Sequence, residues 1–186
     1  MAMEISIQFD FKGADPVDFN VVQESWHTYK LSDGSKIKLR LSLISVWRSR
    51  TQHNPITGEP LYWWNAPLLT SLISFPESFR GEPTKVMPQT PDAMAREVKE
   101  VVDFELIGKH DEWDVYNLSD GTVLRLRPSI TSIARTGLHA PTGEPIYSTS
   151  SGPANARLKI PSNLIKKPAA AAKGVQGDQK PSAAYG

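Results

Sequence analysis

The chain repeats itself, and the repeat limits what it can fold into. Residues 17–76 and 102–161 carry one pattern twice. Val17-Asp18-Phe19 returns as Val102-Asp103-Phe104, Leu31-Ser32-Asp33-Gly34 as Leu118-Ser119-Asp120-Gly121, and Thr57-Gly58-Glu59-Pro60 as Thr142-Gly143-Glu144-Pro145. Trp26 and Tyr29 match Trp113 and Tyr116, and the closing Pro76 matches Pro161. Copy two is two residues longer before its Trp and two shorter before its Thr-Gly-Glu-Pro. At 186 residues the chain has room for two such units, each near the lower size limit for an independent core. Units that small need a staple or a neighbour.

Within each copy the apolar period is two. Ile37, Leu39, Leu41 and Leu43 alternate with polar residues, as do Leu124, Leu126 and Ile130. That is the pattern of a strand with one wet face. Asp33-Gly34 and Asp120-Gly121 separate this strand from a preceding Trp-x-x-Tyr-x-Leu strand. Asp-Gly between alternating runs is a strong hairpin signal, because both residues tolerate positive φ. A second turn is expected at Gly58-Glu59-Pro60 and at Gly143-Glu144-Pro145. The spacing predicts strands over 17–22, 26–31, 36–49, 60–66 and 69–75, with equivalents in copy two. Pro128, at the position of Leu41, predicts an edge or bulge. The expected class is mainly β: two tandem antiparallel modules, each a small barrel or rolled sheet.

Around these modules lie an N-terminal arm (1–16), a connector (77–101) and a C-terminal tail (162–186). The connector carries the helical signal. Thr90 suits the cap, Pro91 the first helical position and Asp92 the positive end. Met94, Val98, Val101 and Val102 then share one face, which predicts a helix over about 91–102. The tail is rich in Ala and Lys and poor in bulky apolar groups, the composition of a flexible, basic, low-complexity segment.

Composition removes several classes of function. There is no Cys, so neither disulfides nor thiolate metal sites are possible. No run of 18 apolar residues occurs, so no membrane helix is expected. The N-terminus lacks the basic-then-apolar order of a secretory signal, which points to the cytoplasm. No G-x-S-x-G, phosphate-binding or dinucleotide motif is present, and His27, His53, His110 and His139 have no ligand spacing. A non-catalytic chain with no metal and no cofactor is expected.

Two sets of residues remain as candidate binding sites. Lys36, Lys38, Arg40 and Arg48, with Arg125, Arg127 and Arg135, form a basic row in each copy beside aromatic residues. Small β proteins hold single-stranded nucleic acid in that way. The other set comes from the differences between copies. Trp26 and Trp113 match and are expected to anchor the cores. Trp47, Trp63 and Trp64 are replaced in copy two by Ala134, Ser148 and Thr149. Adjacent Trp63 and Trp64 must face opposite sides of a strand, so one of them packs on something beyond its own sheet. With Tyr62 they make a candidate protein-docking surface. The preferred reading is an accessory or structural subunit of a larger complex. A single-stranded nucleic-acid binder and a non-catalytic subunit completing an enzyme are the alternatives.

Overall fold

A computed structural model describes residues 8–108 and 112–166. Residues 1–7 of the arm, His110 and the tail from residue 167 lie outside the described residues. The described part is mainly β, with fourteen strands in four antiparallel sheets and one α-helix.

In copy one the strands are β1 (Ala14–Val17), β2 (Phe19–Gln23), β3 (His27–Leu31), β4 (Lys36–Leu41), β5 (Ser45–His53), β6 (Pro60–Asn65) and β7 (Leu68–Ser74). In copy two they are β8 (Val98–Val102), β9 (Phe104–Ile107), β10 (Asp114–Leu118), β11 (Val123–Arg127), β12 (Ile130–His139), β13 (Pro145–Ser151) and β14 (Asn155–Lys159). The hairpins β3–β4 and β10–β11 turn at the two Asp-Gly pairs. Gly34 and Gly121 have φ of 90° and 88°, a region closed to side chains with a Cβ except under strain.

The sheets are β1-β5-β6, β13-β12-β8, β7-β4-β3-β9 and β14-β11-β10-β2. Under the sequence alignment the first two correspond to each other, and so do the last two. The second strand of each copy is exchanged. β2 lies on β10, with Phe19 opposite Leu118 and Val21 opposite Tyr116. β9 lies on β3, with Phe104 opposite Leu31 and Leu106 opposite Tyr29.

Both cores are therefore shared between the copies. One joins Val17, Leu41, Leu43 and Val46 to Tyr116, Leu118, Leu124 and Leu126. The other joins Tyr29, Leu31, Ile37 and Leu39 to Val102 and Ile133. Each copy supplies a three-stranded sheet to one core and most of a four-stranded sheet to the other. Sharing apolar area in this way gives two short repeats more burial than either could reach alone.

Two expectations are corrected. The strand expected over 36–49 is two strands in different sheets, broken at Ser42–Ile44, and Pro128 stands at the matching break after β11 rather than in mid-strand. The helix stops at Arg96; the expected continuation to 102 is strand β8, paired to β12. Three valines in five residues lose rotamer freedom in a helix and suit a pleated edge. The helix start is as expected, with Thr90 Oγ1 accepting from the Ala93 N–H at 3.2 Å. The end of the N-terminal arm is also ordered, since Ala14–Val17 pairs with β5. No closed barrel occurs among the described residues; the sheets are open.

Candidate binding surfaces

The matched polar residues of the repeat meet across the copies. The β3–β4 turn meets β13 of the other copy, and the β10–β11 turn meets β6. Tyr62 Oη donates to Asp120 Oδ2 at 2.7 Å and lies 2.8 Å from Thr122 Oγ1. Arg48 Nη1 reaches the same Asp120 oxygen at 2.9 Å. In the counterpart, Tyr147 Oη donates to Asp33 Oδ2 at 2.6 Å and lies 2.7 Å from Ser35 Oγ. Arg135 stands 3.6 Å from Asp33 and 2.7 Å from Glu100.

Burial would raise the Asp120 carboxyl, but the Tyr62 and Thr122 hydrogen bonds and the Arg48 charge hold it below its ordinary value. Burial pushes the Tyr62 hydroxyl up to about 12. Burial and the hydrogen bond to Asp33 raise Tyr147 as well. Tyr62, expected on the docking surface, and Arg48 and Arg135, expected in the basic rows, are thus engaged inside the molecule.

The remaining tryptophans separate by face, as adjacency requires. Trp64 packs on the core that holds Tyr116. Trp63 points the other way and stands opposite Trp47 on β5. Phe11, in a short 3-10 turn (Phe11–Gly13), lies edge-on to both rings, with centroids 5.0 Å from Trp63 and 6.0 Å from Trp47; Phe9 adds a fourth ring at 5.0 Å from Phe11. This cluster stays wet: Phe11 is 48 % and Trp63 37 % exposed.

Trp26 and Trp113 are not core anchors. Trp26 is 38 % exposed, with Lys38 and Arg40 at 4.7 and 4.9 Å from its ring centroid. Trp113 is half-buried beneath Arg127 and Arg157, at 5.0 and 4.6 Å. Among the described residues the buried aromatics are Tyr29 and Tyr116. Positions three apart in a strand face opposite sides, so the Trp-x-x-Tyr spacing already forbade burying both rings. Five of the seven expected basic residues do lie together on outer faces. Lys36, Lys38 and Arg40 belong to the β7-β4-β3-β9 sheet, and Arg125 and Arg127 to the β14-β11-β10-β2 sheet.

Histidine chemistry is sparse. His53 Nδ1 lies 3.1 Å from the Thr51 carbonyl and His139 Nε2 3.1 Å from the Phe79 carbonyl, at the ends of β5 and β12. Among the described residues no group of His, Asp and Glu could hold a metal. No helix there is long and apolar enough to cross a membrane.

One buried pair was not foreseen: His27 and Asp114, which occupy matching positions at the starts of β3 and β10. Burial lowers the His27 imidazole, opposed by Glu112 and assisted by Arg127. Asp114 accepts from the Ser25 N–H at 2.7 Å, but burial raises its carboxyl from 3.8 to about 6, helped by Glu24 and Glu112 and opposed by Arg40. The folded state therefore holds a proton there that the unfolded chain releases above about pH 4. Stability from this group falls as pH rises from 4 to 6. Asp114→Asn should then raise stability at pH 8 by on the order of 1–2 kcal/mol, with the gain fading towards pH 4. Melting curves at the two pH values check this; an equal change at both would contradict it.

No protein-family model matches the chain, and comparisons with curated proteins and with solved structures found no match either.

Proposed function

We propose that the chain is a non-catalytic binding protein, an accessory or structural subunit of a larger assembly. It docks a protein partner on the outer face of the β1-β5-β6 sheet. The observation that supports this is the Phe11–Trp47–Trp63 cluster, exposed in copy one and replaced at the matching strand positions of copy two by Ala134 and Ser148. A duplicated framework needs the residues that both copies share; rings kept on one copy's wet face serve something else. Exposed Trp is enriched in interface hot spots. In the same reading the molecule arose as two tandem rolled-sheet modules that exchanged strands β2 and β9.

The test transplants copy two's residues. Trp47→Ala with Trp63→Ser should leave the melting curve close to wild type, since both rings lie outside the cores. Partner recovery in quantitative co-purification from the native host should fall by about 2 kcal/mol in affinity, roughly thirtyfold. Charge reversal at Arg125 should leave that recovery unchanged. Full recovery with the double Trp variant would defeat the reading.

A further inference from the structure

The outer face of the β14-β11-β10-β2 sheet is charged in one sense only. Alternation fixes which residues face outward: Leu124, Leu126, Tyr116 and Leu118 are buried, and Ala156 and Leu158 pack on the same core. Arg125, Arg157, Lys159 and Asn117 therefore face solvent, with Arg127 half-covered. No Asp or Glu occupies an outward position on these four strands.

Register makes the imbalance sharper. Arg125 stands directly opposite Arg157, and Lys159 opposite Val123. Like charges facing each other across a strand pair destabilise it. None of Arg125, Arg157 and Lys159 forms an ion pair with a described carboxylate. The matching face of the β7-β4-β3-β9 sheet differs: Lys30 stands opposite Glu105, and Arg40 pairs with Glu24 at 3.5 Å. Copy one's sheet is thus partly neutralised from within, whereas Arg125, Arg157 and Lys159 of copy two's sheet have no such partner among the described carboxylates.

Two further features belong to the same face. Arg127 and Arg157 lie over the Trp113 ring, which makes a layer of planar cations and indole. The other rows end in amides, with Asn117 opposite Asn20, Gln23 opposite Val115 and Asn155 opposite Arg127.

We propose that this face binds single-stranded nucleic acid. Arg125, Arg157 and Lys159 take the phosphates, the guanidinium–indole layer stacks bases, and the amides donate to and accept from base edges. An acidic peptide would use the charge but neither the stacking layer nor the amides. The site is separate from the aromatic docking cluster and does not depend on it.

The full chain titrated with oligothymidylate, followed by intrinsic tryptophan fluorescence and by anisotropy of a labelled strand, tests the assignment. Binding should quench tryptophan emission and weaken steeply with salt. Arg125→Glu should weaken binding at least tenfold and lower the salt slope by about one per lost phosphate contact. Arg157→Gln supplies a second variant should the charge reversal disturb folding. Lys36→Glu on the other sheet should change affinity less than twofold, and Trp47→Ala with Trp63→Ser should bind as wild type does. Absence of binding at low salt, equal losses at Lys36 and Arg125, or polyglutamate binding as tight as the oligonucleotide would each overturn the proposal.

Discussion

Alanine at Tyr116 should lower the stability of the whole molecule by about 3–5 kcal/mol, the range for losing a buried aromatic side chain. Tyr116 is fully buried, lies edge-on to Phe19 at 5.9 Å and donates from its hydroxyl to Glu24 at 3.1 Å. Its neighbours include Leu41, Leu43 and Val46 from the other copy. For a chain of this size the melting midpoint should fall by about 6–20 °C. The shape of the transition is the sharper part of the result. Because strands and cores are shared, unfolding should remain a single transition, moved as one. Differential scanning calorimetry that resolves two steps, one unchanged from wild type, would mean that the copies fold independently despite the exchanged strands.

The second large effect is expected at Asp120. Its carboxylate accepts from Arg48, Tyr62 and the Thr122 N–H, the last at 3.0 Å. Asp120→Ala leaves a partly buried guanidinium and a phenol without their acceptor. Orphaning such donors costs about 2–3 kcal/mol, more than the hydrogen bonds contribute on balance. Tyr62→Phe alone should cost about 1 kcal/mol, since it removes donor and demand together. In the double variant the costs should fall short of additive by at least about 0.5 kcal/mol, the mark of a direct contact. Chemical denaturation of the four proteins measures this; strict additivity would mean that the cross-copy contact carries no energy. The stabilisation belongs to the charged carboxylate. It is present above the ordinary Asp value of 3.8 and is lost as pH falls through the lowered value in the folded state.

A good part of this molecule was legible in the order of its residues. Period-two alternation in Ile37–Leu43 and Leu124–Ile130 identified strands because side chains of a pleated backbone point to alternate faces. Asp-Gly placed the hairpins because few other residues reach φ near 90°. Neighbouring Trp63 and Trp64 had to part, and they do. The lock between copies also left a trace: Arg48, Tyr62 and Asp33 each have an identical counterpart, Arg135, Tyr147 and Asp120. Polar residues shared by diverged repeats point to contacts between the repeats.

Tertiary structure decided the rest. Which sheet a strand joins depends on backbone N–H and C=O groups that are the same in every residue, so nothing local tells β2 to leave β3 for β10. Val98–Val102 carries valines at helical spacing and at strand propensity at once. The free edge of β12 settles the choice, because pairing there buries Val102 and satisfies the backbone. Length could not show that 36–49 breaks at Ser42 to serve two sheets; that break exists because each three-stranded sheet must cover the four-stranded sheet of the other copy. The sequence by itself determined what repeats, where the chain turns and which faces are wet. Only the packed structure determined which half completes which, since burial of apolar area is set by where two surfaces meet and not by where either lies along the chain.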